Sequence, residues 1–279
     1  MRMAQRREPI RLIPMGVGHR HIRDVLIDEL ASRDLVRPVV LDAGCGDGRL
    51  LDVIGQSTDA QLCGFDSAEY GLQNADFIGS LVTGADIRHT LPDGSWPFED
   101  ESVDAVVSHQ VIEHVFDFTQ FCAENERVLR PGGFAIHVFP TRHTIIELHM
   151  LLPLVHRIRS HDVRAAAIRL LTRLGLGSNR ELVDRTAAAA HADYSRTYTT
   201  YRSWRELATE IHRHGLRVSY RHSSRLLKRL VLNVMGTELK VRVSHPFVEV
   251  LWFPLVRSLV SVTLVVEKQQ DYRSDWKMH

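Results

Sequence analysis

The segment Leu41-Asp42-Ala43-Gly44-Cys45-Gly46-Asp47-Gly48 constrains this chain more than any other. Val39-Val40-Leu41 reads as a short buried strand, and three glycines at alternate positions follow it. Glycine reaches backbone angles that a sharp turn needs and lets the main chain approach a ligand with no Cβ in the way. A helix starting at such a turn offers free N–H groups and its positive dipole end to an anionic group. A strand that turns through glycines into a helix is the opening unit of an α/β layer fold.

The later runs repeat that unit. Ile22, Val25, Leu26 and Leu30 recur at helical spacing, so an amphipathic helix over His21–Leu30 precedes the first strand. Gln61–Asp66, Val103–Ser108 and Phe134–Phe139 read as further strands, and Phe118–Leu129 as a helix stopped by Arg130-Pro131-Gly132-Gly133. From about Thr144 to Ala192 no strand is expected but three helices are, with Leu174–Ser178 as a break. Ser203 followed by Glu206 is a capping box, Gly215 its helix's stop, Leu216–Tyr220 a strand, and Ser261–Val266 a β-branched strand. Phe247–Val266 is apolar but broken by Glu249, Pro254 and Arg257, so it reads as a core helix and strand. Peripheral contact with a bilayer is its minor alternative.

A dinucleotide-binding turn carries glycine at its first, third and sixth positions, whereas here Arg49 holds the sixth and glycine the fifth. That disfavours a NAD-linked dehydrogenase. Asp66 closes the next strand 18 residues after Gly48, where a carboxylate can accept both hydroxyls of a ribose. With Thr83–Ile87, Leu91-Pro92, Pro97–Asp104, Val107–Val115 and Val128–Gly133 in order, the chain resembles class I S-adenosylmethionine-dependent methyltransferases over residues 37–140. The resemblance implies a Rossmann-like, seven-stranded, mostly parallel sheet with helices on both faces, a helical insertion after the fifth strand, and Ser261–Val266 antiparallel. It implies S-adenosylmethionine as cofactor, with Gly44, Gly46 and Gly48 at its methionine part, Asp66 at the ribose, and Asp86 and Ile87 at the adenine. Asp42 and Ser108 belong to the same cofactor set. The expected organisation is one domain over 1–279: a core at 37–140, an insertion or lid at 144–192, and 200–279 completing the sheet.

Methyl transfer to a hydroxyl needs alignment with the donor and removal of a proton, by a histidine, a carboxylate or a metal-bound group. His109 and His114 follow the fourth strand and His149 follows the fifth, so these three are the candidate catalytic residues, with His143 and Glu147 nearby. Ubiquinone-pathway and small-RNA 2′-O-methyltransferases carry a similar Glu-x-x-Glu-His group that holds a divalent metal. Here Glu113 and His114 match, but Gln110 replaces the first carboxylate, which weakens a magnesium site. The Glu113-His114 pair closing the loop without metal is favoured over their acting as ligands. Tyr194, Tyr198 and Tyr201, near Arg196 and Arg202, suit a pocket for a sugar or phenol.

A net charge of +1, from 35 Lys and Arg against 34 Asp and Glu, disfavours nucleic acid as a partner recruited by bulk charge. Three cysteines with no Cys-x-x-Cys spacing give no disulfide framework and fit a cytoplasmic enzyme. The reading is therefore an O-directed methyltransferase on a small-molecule, saccharide or lipid-linked acceptor. Its alternatives are a metal-assisted RNA 2′-O-methyltransferase and a non-catalytic methyltransferase-like binding protein. Of the sixteen histidines, only His109, His114, His143 and His149 are expected near the chemistry, and the others at the surface.

Overall fold

The computed structural model describes residues 16–67, 78–82, 84–147, 149–219, 222–234 (side chains only to 230) and 261–270. Thr83 and the helix expected within Phe247–Val260 lie outside the described residues.

The strands in chain order are β1 (Val39–Ala43), β2 (Gln61–Asp66), β3 (Asp86–His89), β4 (Val103–His109), β5 (Leu129–Phe139), β6 (Ile146–Glu147), β7 (Leu152–Pro153), β8 (Arg217–Ser219) and β9 (Val262–Glu267). Seven form one sheet in the order β3-β2-β1-β4-β5-β9-β8, with β9 antiparallel to both neighbours and the other pairings parallel. The fold is thus the Rossmann-like, mostly parallel sheet expected.

Helices α1 (Val17–Ala31), α2 (Arg49–Gly55), α3 (Phe118–Val128), α4 (His161–Arg173), α5 (Arg185–Thr197), α6 (Trp204–Arg213) and α7 (Ser223–Val234) complete the chain. The strand period of two splits the core across the sheet. Val40, Ala105, Val107, Phe134, Ile136 and Val138 face α1, α2 and α7. Leu41, Ala43, Val106, Ala135 and Phe139 face the layer of α3 and α6. Both faces are covered, which is why the central strands read as unbroken apolar runs. Fully burying each of these larger side chains contributes about 1.5–3 kcal/mol. Strand order reverses between β1 and β4, and ligands of open α/β sheets bind at the carboxyl ends flanking such a point.

Two expectations change. Pro131-Gly132-Gly133 does not separate helix from strand: β5 already pairs through Leu129 with Val103, and the register slips before Phe134 meets Ala105, so the glycines sit in an irregularity inside the strand. The insertion holds two α-helices rather than three, with 3-10 turns at Val155–Arg157 and Arg180–Val183. Its first part is the β6–β7 ladder, because Pro153 pushes the residue before it out of helical geometry. Met150, Leu152, Val155, Ile168, Leu182, Ala188 and Ala192 give the insertion a core of its own.

Three of the histidines expected at the surface are buried instead. His21, His137 and His222 are at most 3% exposed. His21 Nε2 is 2.8 Å from Thr263 Oγ1, His137 Nδ1 is 2.7 Å from Ser108 Oγ, and His222 Nε2 is 2.7 Å from Glu29 Oε1. Each polar tip has found a partner far along the chain, which lets the ring pack in the interior. Among the described helices, none is long and apolar enough to cross a membrane.

Candidate active site

A cleft of about 690 Å³ opens at the carboxyl ends of β1, β2 and β4. Its floor is the glycine turn. Gly44 N–H and Cys45 N–H donate to Phe65 O at 2.9 and 3.0 Å, stitching the turn to the end of β2. Gly44 has φ +77°, and a Cβ there would stand 2.6 Å from Val111 Cγ2, so the β4 loop can close on the turn only over glycine. Asp66 anchors the turn from the other side, its Oδ2 accepting from Gly46 N at 2.7 Å and its Oδ1 from Ser67 N at 2.7 Å. Burial raises the Asp66 carboxyl above its ordinary range, against the pull of these two bonds.

Asp42 is 2% exposed, lines the cleft, and leaves Oδ1 without a hydrogen-bond partner. Burial, reinforced by the charges of Asp66 and Asp47, pushes its carboxyl well above the usual value. A buried acceptor aimed into a cleft costs free energy until something donates to it. An ammonium group would answer both the orphan atom and the concentration of carboxylates.

Of the residues singled out in the sequence, Asp42, Gly44, Gly46, Asp66, His109, His114 and His149 line the cleft, with Tyr194 beside them. Gly48 instead caps α2, with φ +83°, where a Cβ would meet Val82 at 2.5 Å. Ser108 turns into the sheet interior to meet His137. Asp86 and Ile87 do not reach the cleft. Pairing of Cys63 with Asp86 and Asp66 with His89 sets Asp86 three residues short of the carboxyl edge, about 10 Å back. There Asp86 is exposed and bonded to Arg88, while Thr90 and Trp96 take the places on the wall.

The sequence reading missed His19, Thr90 and Trp96 in this wall. His19 comes from the first turn of α1, its ring 4.8 Å from that of His109 and edge-on to it. Gly18 makes the approach: a Cβ there would lie 2.1 Å from His109 Nε2. A glycine in the first turn of an amphipathic helix was the available signal. Burial and the neighbouring His19 lower His109 to about 3, so it stays neutral.

The other end of the cleft holds a linked set of side chains. Glu147, 1% exposed, pairs through Oε1 with His149 Nδ1 at 2.6 Å and accepts from Tyr201 Oη at 3.0 Å. Its Oε2 accepts from Met150 N at 2.8 Å. Burial opposes ionisation of Glu147, but His149 and the backbone donors win and hold it at about 2. Burial likewise opposes the imidazolium of His149, and Glu147 overcomes it, so the His149 pKa is raised. His149 Nε2 lies 3.4 Å from His114 Nε2. His114 directs Nδ1 to Tyr198 O at 2.7 Å, and burial lowers it to about 4. One basic and one neutral imidazole therefore face each other at the cleft wall.

Arg202 holds this end in place. Its guanidinium donates to Ile112 O, Val115 O and Phe116 O at 3.1, 2.5 and 3.0 Å, joining the loop after β4 to the segment before α6. Glu113 does not join the pair of histidines: it is 1% exposed, neither oxygen has a partner, and burial raises it to about 8. Gln110 Nε2 donates to Ser261 Oγ at 3.1 Å. Among the described residues no group of three or more His, Cys, Asp or Glu side chains is gathered as a metal site.

Residues 41–137 match a family model described as a methyltransferase domain. A Mycolicibacterium smegmatis protein described as a probable S-adenosylmethionine-dependent methyltransferase is 39% identical over 43% of this chain and 45% of its own length. The malonyl-[acyl-carrier protein] O-methyltransferase of Hahella chejuensis is 32% identical over 42% of each chain. The matched stretch spans less than half the length of these curated relatives. A solved S-adenosylmethionine-dependent methyltransferase from Mesorhizobium loti is similar at 13% identity and a TM-score of 0.47, covering 83% of this chain and 91% of that one.

Proposed function

We propose that this chain, whose residues 41–137 match a methyltransferase domain, is a class I S-adenosylmethionine-dependent methyltransferase, O-directed, for a small-molecule, saccharide or lipid-linked acceptor. One observation carries the O-directed part: the buried Glu147 holding His149 at the cleft wall, opposite the neutral His114. The linked charge of Glu147 orients one nitrogen of His149 and leaves the other, Nε2, beside His114 Nε2 at the cleft wall, the arrangement by which a carboxylate serves a general base.

The residues of the turn fit the family's cofactor. Asp42, with its orphan Oδ1, suits the ammonium of the methionine portion, and Gly44 and Gly46 allow close approach of the backbone. Asp66 retains acceptor capacity for a ribose diol beyond its two backbone bonds. Thr90 and Trp96 would border the base in place of Asp86 and Ile87. When bound, the cofactor supplies an electrophilic methyl on a sulfonium, whose departing sulfur needs no proton.

The remaining work belongs to this chain. The acceptor hydroxyl sits toward His149 Nε2, which takes its proton as the oxygen attacks. Glu147 stabilises the imidazolium formed, and Tyr201 and Met150 keep the carboxylate from turning away. His114, whose Nδ1–H is held by Tyr198 O, keeps a neutral, accepting Nε2 beside His149. His19 and His109, on the side of α1, close the cleft and exclude water from it. The insertion from β6 to α5 carries Glu147, His149 and Tyr194, so it acts as a lid that chooses the acceptor as well as supplying the base.

A screen of acceptor pools with methyl-labelled S-adenosylmethionine tests this reading. Label should appear in an ether or ester product with wild type and fall at least a hundredfold with His149→Ala, cofactor affinity being unchanged. Label on nitrogen or carbon, or equal rates for the variant, would remove the O-directed mechanism.

A further inference from the structure

A second concavity, of about 590 Å³, lies on the far side of Tyr201, between the start of the insertion and α5. Arg142, Arg157, Arg159, Arg164 and Arg196 line it together with His156, and no carboxylate does. Among the described residues only Arg142 has an acidic partner, Glu206, at 2.8 Å. Arg157 spends its guanidinium on His143 O at 2.5 Å, a backbone carbonyl and not a charge.

Arg164 is the telling member. It is 7% exposed, and its donors go to Ile158 O, Ala192 O and Ser195 Oγ, all neutral. Burial and the nearby Arg196 both lower its pKa, and Glu147, whose charge answers His149, contributes a smaller opposing pull. A buried guanidinium with neutral partners is fixed in place and still lacks a counter-charge. His156 adds to this. Both its ring nitrogens are shielded from solvent, with the Arg142 backbone as a neighbouring hydrogen-bonding group. Its ring rests 5.1 Å from that of Tyr201. On a solvated face arginines diverge and keep their water. Here they line one hollow, at whose base the Arg164 side chain is buried and His156 is half-buried.

We propose that this hollow binds a phosphate or pyrophosphate group, with Arg164 and His156 at its base and Arg157, Arg159 and Arg196 at its rim. Several guanidinium forks suit the many acceptor oxygens of such a group better than a lone carboxylate. Tyr201 spans the wall between this site and the cleft: its ring touches His156 and its hydroxyl bonds Glu147. The anion therefore binds next to the residue that holds His149, and a phosphorylated or diphosphate-linked acceptor is the chemical class indicated. That last step rests on the methyltransferase reading; the anion site itself does not.

Calorimetry on the full chain with inorganic pyrophosphate, at fixed ionic strength, tests the site. Arg159 and Arg196 are exposed and outside the cleft, so Arg159→Ala/Arg196→Ala should fold normally. Saturable binding that weakens at least tenfold in this variant, with sulfate much weaker than pyrophosphate, is the expected result. Leu154, Val163, Leu170, Leu174 and Leu176 are exposed on the same insertion, so a vesicle arm separates the sources. Arginine-dependent binding to vesicles with phosphatidic acid, over phosphatidylcholine alone, assigns the phosphate to a lipid; pyrophosphate binding without it assigns a soluble one. No saturable pyrophosphate binding, equal affinity in the variant, or arginine-dependent binding of an RNA oligonucleotide alone would overturn the proposal. S-adenosylmethionine titrated into the same samples keeps the two claims apart: its failure beside intact pyrophosphate binding would count against the methyltransferase reading only.

Discussion

Glu147→Gln keeps the shape of the side chain and removes the charge behind His149. In the native site Glu147 meets His149 Nδ1 at 2.6 Å and Tyr201 Oη at 3.0 Å through one oxygen, and Met150 N at 2.8 Å through the other. A glutamine can keep the first two through its carbonyl, but its NH2 then faces the Met150 N–H, donor against donor. One lost buried hydrogen bond and two that are no longer charge-assisted should cost about 2–4 kcal/mol of stability. Activity should fall further than stability implies. General-base assistance is typically worth about 10²–10⁴ in rate, and we expect a loss of kcat within that range. The pH profile separates chemistry from packing. A general base must be neutral, so wild-type kcat should rise through the His149 pKa, which lies above 6.5 because of Glu147. Without Glu147, burial dominates and the rising limb should move to lower pH while the plateau drops. Steady-state kinetics from pH 5 to 9, with cofactor affinity by calorimetry, read all three quantities. A variant with native kcat, or with the limb unmoved, would refute the base assignment.

Glu113→Gln should stabilise the protein at neutral and alkaline pH. Burial raises the folded carboxyl from 4.5 to about 8, so its favourable contribution is complete below 4.5 and is lost as pH rises through 8. The amide removes that dependence and should gain up to about 3 kcal/mol at pH 7, shrinking toward zero near pH 4.5; urea unfolding at both pH values would show it, and an equal effect at each would contradict the buried acid. Gly18→Ala brings a methyl to 2.1 Å from His109 Nε2 and should displace α1 at a cost of about 1–3 kcal/mol, weakening cofactor binding as well. Thermal melts and calorimetry with cofactor unaffected by this change would show that α1 does not close the cleft.

What could be read from the sequence was what local pattern controls. The apolar runs at Val39, Gln61, Val103 and Phe134 mark strands because both faces of a parallel sheet are covered, and each strand lies within a few residues of its expected place. The turn at Gly44–Gly48 and the capping box of Ser203 with Glu206 are likewise local. What escaped was set by pairing between distant segments. The register that aligns Cys63 with Asp86 moves Asp86 off the cleft, and no feature of residues 83–87 announces it. His21 and His222 resembled surface histidines because their partners, Thr263 and Glu29, lie 242 and 193 residues away. His149 was visible as a histidine after the fifth strand, but its meeting with His114 depends on the short β6–β7 ladder that Pro153 imposes. His19 lay outside the resembling stretch altogether.

We propose that the glycine turn, Asp42 and Asp66 together hold S-adenosylmethionine at this cleft. Calorimetric titration of the full chain with S-adenosylmethionine, beside Asp66→Ala and beside NAD, tests it most directly. One molecule should bind per chain, at least tenfold more weakly in Asp66→Ala, and NAD should not bind. Absence of S-adenosylmethionine binding by folded protein, or binding indifferent to Asp66, would contradict it.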